Sequence, residues 1–110
     1  MMKSNKSFRP EHIWVVLAHN PATKTITVLA FQMGTRQEAM KVGLERAKEE
    51  PGAVAVEAFD LFSPPERLRY LMELWLVGEG VSSEEARTVV TGFAKSMKKQ
   101  LKAVRKRRQP

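Results

Sequence analysis

Residues 12–19, HIWVVLAH, constrain the fold more than any other stretch of the chain. Apolar residues occupy both alternating sets, Ile13/Val15/Leu17 and Trp14/Val16/Ala18. A strand with one wet face alternates apolar with polar, whereas a strand apolar on both sets is buried on both faces. The segment therefore reads as the central strand of a sheet, and the rest of the chain has to supply its neighbours and its cover.

The punctuation along the sequence supplies them in order. NPATK (20–24) reads as a short hairpin loop, because Asn-Pro favours turn initiation. TITVLAFQM (25–33) follows as a second strand, its threonines suited to partial exposure. After Gly34, Thr35 can cap a helix while Glu38 reaches back to it. Met40, Gly43, Leu44 and Ala47 form one apolar stripe on that helix, and its small members allow close approach to a sheet. Pro51-Gly52 stops the helix, and AVAVEAFDLF (53–62) reads as a third strand. In SPPE, Ser63 is the expected cap, with Pro64 at the first helical position and Glu66 three residues after the cap. Leu68, Leu71, Met72 and Trp75 make the apolar face, and Gly78 and Gly80 close the helix. A third capping box runs from Ser82 to Glu85, just after Val81.

The order β-β-α-β-α-α defines an α+β fold. A right-handed crossover from the second strand carries the third past it to the free side of the first. The expected sheet is three-stranded and antiparallel, in the order 2-1-3, packed with helices. One domain is expected over residues 11–94, after a disordered leader at 1–10 that lacks the apolar segment of a signal peptide. No stretch approaches the roughly 20 apolar residues of a spanning helix.

The net charge of +7 is unevenly placed. Residues 1–94 carry eleven Lys or Arg against twelve Asp or Glu, a net −1, while residues 95–110 carry eight Lys or Arg and no acid. The third helix explains how such a run can be ordered. Ala86, Val90, Phe93, Met97, Leu101 and Val104 recur every three or four residues, and at 100° per residue Lys95, Lys98, Lys99, Lys102, Arg105 and Lys106 gather on the other side. The basic run is thus an extension of an amphipathic helix, ending in a short tail from Arg107 and Arg108 to Pro110. Gly92 interrupts the pattern at some cost in helix propensity.

The catalytic inventory is thin. The chain has no cysteine, which removes thiol nucleophiles, disulfides and cysteine-ligated metals and fits a cytoplasmic protein. His12 and His19 fall on opposite faces of a strand, more than about 20 Å apart at 3.3 Å per residue, and read as strand-end surface residues. Glu49-Glu50 is a solvated helix end, and Glu84-Glu85 suits a helix N-terminus. No phosphate-loop, nucleophile-elbow or zinc-helix motif occurs. These observations give no catalytic residue, no metal ligand and no cofactor.

LMELWLVGEGVSSEEARTVV (71–90) loosely resembles the turn of a helix-turn-helix. Bulky Leu76 and charged Glu79 stand where that motif prefers small and apolar residues, and the face that would meet bases starts with Ser83, Glu84 and Arg87. An ordinary helical hairpin fits better.

The expected function is therefore non-enzymatic. A segregated cationic face calls for an anionic partner, and nucleic acid fits best, contacted at phosphates by Lys95, Lys98, Lys99, Lys102, Arg105, Lys106, Arg107 and Arg108. No aromatic follows Phe93, so a duplex is expected rather than a single strand, with little sequence reading from Gln100 and Gln109 alone. Trp14, Phe31 and Phe59 lie on apolar strands and read as core rather than as base-stacking platforms. The alternative is a protein-interaction or homodimer module, or a site for an acidic protein, using Val90, Phe93, Met97, Leu101 and Val104. A membrane surface is disfavoured, because the apolar side beyond the core has only Met97, Leu101 and Val104 and no Trp.

Overall fold

The computed structural model describes residues 12–108, with side chains as far as Lys99. The leader at 1–10 and the last two residues lie outside the described residues. Three strands, β1 (Ile13–Asn20), β2 (Thr25–Met33) and β3 (Ala55–Asp60), and three helices, α1 (Arg36–Ala47), α2 (Pro65–Gly78) and α3 (Ser83–Arg108), follow the expected order. The sheet is antiparallel with β1 in the centre, in the order β2-β1-β3.

Val16 and Leu17 show why. They are adjacent, point to opposite faces, and are both 0% exposed. The Leu17 face, with Val15 and Phe59, packs on Met72 and Leu76 of α2 and on Ala86, Val89 and Val90 of α3. The Val16 face, with Ala18, Leu29 and Ala58, packs on Ala39 of α1. The sheet is the middle layer of three, and each hydrophobic face removes area from water at about 25 cal/mol per Å².

Helix α1 meets the sheet along most of the expected stripe, with Gly43 buried and Met40 and Ala47 packed on the core, but Ala39 joins that line and Leu44 leaves it. Ala39 is fully buried, and Leu44 is 52% exposed. The seam is set by Gly43, where a Cβ would stand 2.2 Å from Val16 Cγ1. Only the smallest side of the helix fits so close to β1, so Leu44 turns outward. Its capping box is complete: Thr35 Oγ1 accepts from the Glu38 amide at 3.1 Å, and Glu38 Oε1 accepts from the Thr35 amide at 2.9 Å.

The expected Ser63 cap does not form. Pro64 is the N-cap residue, no side chain caps the helix, and α2 starts at Pro65. The cause is the double proline: a residue before proline is pushed to extended geometry, and Pro64 sits at φ −58°, ψ 147°. At the other end, Gly80 adopts φ 100°. Its amide donates to Val77 O at 3.0 Å and that of Val81 to Leu76 O at 3.0 Å, the two bonds of a Schellman turn. Val81 packs on the same core cluster, which aims the chain into α3.

The close seam is testable by urea denaturation. Gly43→Val is expected to cost about 2 kcal/mol or more through overpacking against Val16. Leu44→Gln at the exposed neighbour should stay within about 0.5 kcal/mol of the parent.

Candidate nucleic-acid interface

Helix α3 begins under local control. Ser82 Oγ accepts from the Glu85 amide at 3.1 Å, and Ser82 O from the Ala86 amide at 2.8 Å. Glu84 and Glu85 sit in the first turn, where carboxylates meet the positive end of the helix dipole. The Glu85 carboxylate also lies 3.9 Å from Lys24 Nζ in the β1–β2 hairpin. From there α3 runs without interruption through Gly92 to Arg108, about 39 Å at 1.5 Å per residue. Arg107 and Arg108, read from sequence as the start of a tail, continue the helix.

The first half of α3 anchors the second. Ala86, Val89 and Val90 are buried, and Phe93 packs on the same cluster. Val90, expected in the partner-binding stripe, thus belongs to the protein's own core, Phe93 is half-buried against it, and from Met97 the stripe leaves the cluster. Met97 is half-buried, while the side chains of Leu101 and Val104 lie outside the described residues. On the other side, Lys95, Lys98 and Lys99 are exposed. Lys102, Arg105 and Lys106 follow on the same helical backbone, and their side chains, with those of Arg107 and Arg108, lie outside the described residues.

A cation that the sequence pattern did not single out joins this row. Arg69 of α2 donates from Nη2 to Thr91 Oγ1 at 2.8 Å. Thr91 is one helical turn before Lys95, so the guanidinium stands at the head of the lysine row. The periodicity of α2 shows only that Arg69 lies off the apolar face, and it takes the packing of α2 on α3 to place it. The four ion pairs among the described residues join His12 to Asp60, Lys24 to Glu85, Arg36 to Glu57 and Lys48 to Glu45. None involves Arg69, Lys95, Lys98 or Lys99, so among the described residues no carboxylate forms an ion pair with the row there.

The remaining candidates disperse. His12 is exposed, with Nδ1 2.7 Å from Asp60 Oδ2. His19 is not the surface residue expected. It is 2% exposed, because α2 covers the far end of β1, and its ring meets Trp75 edge-on at 6.4 Å. His19 Nε2 and Trp75 Nε1 are both buried without a protein partner. Among the described residues, no three His, Asp or Glu converge on one point. Of the strand aromatics, Phe59 is core and Trp14 is half-buried, its Nε1 donating to Gly34 O at 2.8 Å. Phe31 departs from expectation at 57% exposed, since the helical layer covers Ile26 and Val28 of β2 but stops short of it. In the helical hairpin, Leu76 is 0% exposed and fastens α2 to the sheet and α3. Ser83, Glu84 and Arg87 are exposed, which leaves one turn bearing two carboxyls, Glu84 and Glu85, at the front of α3. Among the described residues no helix is long and apolar enough to cross a membrane.

Set against known protein families, curated proteins and solved structures, the chain gives no significant match. The functional reading therefore rests on the residues themselves.

The cap that starts α3 has a measurable value. Ser82→Ala is expected to lower unfolding stability by about 1 kcal/mol, read from the urea midpoint, because the Glu85 amide loses its side-chain acceptor.

Proposed function

We propose that this chain is a small, non-enzymatic nucleic-acid-binding accessory or regulatory protein, working in the cytoplasm and gripping duplex phosphates with the basic face of α3. The observation that carries the reading is the unneutralised row formed by Arg69, Lys95 and Lys98, borne on a helix whose other side is fixed in the core. An anchored helix presents its charges in register, so little ordering entropy opposes binding.

Magnitudes support a phosphate grip rather than base reading. From Lys95 to Lys106 the helix rises about 16 Å. A duplex carries one charge per ~1.7 Å along its axis, and about half of these face one side. Roughly four to six contacts are then within reach, enough for a log–log salt slope of about −4 to −5. The amide readers on the segment are Gln100 and Gln109, so binding should vary little with sequence. The apolar stripe of α3 loses ground as a partner site because Val90 is buried in the core and Phe93 is partly covered by it.

The test is duplex binding across salt by the full chain and by a Lys95→Gln/Lys98→Gln/Lys102→Gln variant. The expected result is weaker binding by the variant on every sequence tried, with a slope shallower by about three. Arg69→Gln should remove about one further unit of slope with stability unchanged within about 0.5 kcal/mol. Absence of binding at low salt, or equal slopes for parent and triple variant, would overturn the proposal.

A further inference from the structure

The two edges of the sheet are treated differently. β3 is six residues long and carries Glu57 and Asp60, engaged by Arg36 and His12. Charges and short length are how native proteins blunt an edge. β2 is nine residues long, TITVLAFQM, with no charge and no proline. Its ladder with β1 shifts register at Leu29, and there Arg46 Nη1 donates to Leu29 O at 3.2 Å. That guards the bulge alone. Thr25–Val28, all four β-branched, keep an edge of main-chain groups on the side away from β1.

Beside this edge runs a groove of about 480 Å³ lined by Lys24, Thr25, Ile26, Thr88, Gly92 and Phe93. Gly92 is among its lining residues. Unlike Gly43, it answers no internal demand, for nothing lies within 4 Å of where its Cβ would be. A glycine in the middle of a long helix weakens it, so its use here points outward, to something that approaches the helix backbone from the groove side. Lys24 and Glu85 pair within the groove, which makes this face electrically neutral in a protein of net charge +7. A polyanion finds no purchase there, and two copies of the face do not repel each other.

We propose that the β2 edge at Thr25–Val28 and the groove that Gly92 lines form an isologous interface with a second copy of this chain. Antiparallel pairing of β2 with its twin, about a two-fold axis normal to the sheet near Ile26 and Thr27, gives a six-stranded sheet in the order β3-β1-β2-β2-β1-β3. Rotation about that axis keeps both α2–α3 layers on one side. A four-residue ladder is only about 13 Å long. A standard interface takes about 800 Å² from each partner, so the ladder alone is too small. The two α3 helices have to meet across the groove, and Gly92 is where their backbones can approach.

The experiment is sedimentation of the full chain without nucleic acid, over a concentration range reaching well above micromolar, for the parent, Gly92→Gln and Thr25→Lys. The parent is expected to dimerise, and each variant to raise the dimer dissociation constant by about tenfold or more. Circular dichroism should show both folded, with Gly92→Gln melting no lower than the parent monomer, since Gln is the better helix former. A parent that stays monomeric throughout would overturn the proposal. So would a dimer equally strong in both folded variants, which would move self-association to the Met97 side of α3. Because no nucleic acid is present, neither outcome depends on the duplex-binding reading.

Discussion

The burial of β1 on both faces is the constraint on which everything else rests. Val16 and Leu17 cannot both leave water unless helices cover the sheet above and below. A chain of this size has three helices to spend. One, α1, closes the Val16 face by lying close on Gly43. The other two close the Leu17 face together, and α3 does so with only its first three turns. The remainder of α3 is therefore projected from a fixed root, and the charge segregated in the sequence becomes a charge with a position.

The same arrangement explains how a nearly neutral body can carry a strongly cationic limb. The carboxylates of the body are mostly used locally, at helix starts and in pairs with His12, Lys24, Arg36 and Lys48. Arg69, on the cationic side, is held to Thr91 by a neutral acceptor rather than by a carboxylate. The α2–α3 seam thus extends the lysine row onto a second helix and ties it to the core through Leu76 and Val90.

Much of this was legible in the sequence, for reasons local to the chain. The double-sided apolar pattern of β1 and the Thr35 and Ser82 caps each depend on a few adjacent residues, and the sheet order β2-β1-β3 puts that double-sided strand in the centre. The departures share a different cause, which is packing between distant segments. Leu44 turned outward because Val16 left room only for Gly43. His19 sank because α2 extends over the end of β1, and Phe31 surfaced because the same layer stops short of it. Ser63 is a local miss, where the second proline outweighed the capping pattern. For the candidate interface, the lysines were readable from helical spacing, whereas Arg69 needed the fold.

The proposed function makes a claim about place, that phosphates would meet the protein along the α2–α3 seam and the outer side of α3. Titration of isotope-labelled full-length protein with a short duplex, followed by amide chemical shifts at low salt, tests it directly. The expected result is a contiguous set of perturbed amides at Arg69, Thr91, Lys95, Lys98 and Lys99, with α1 and β3 unmoved, and its reversal on adding salt. Perturbation centred on α1 or β3, or none at low salt, would contradict the account.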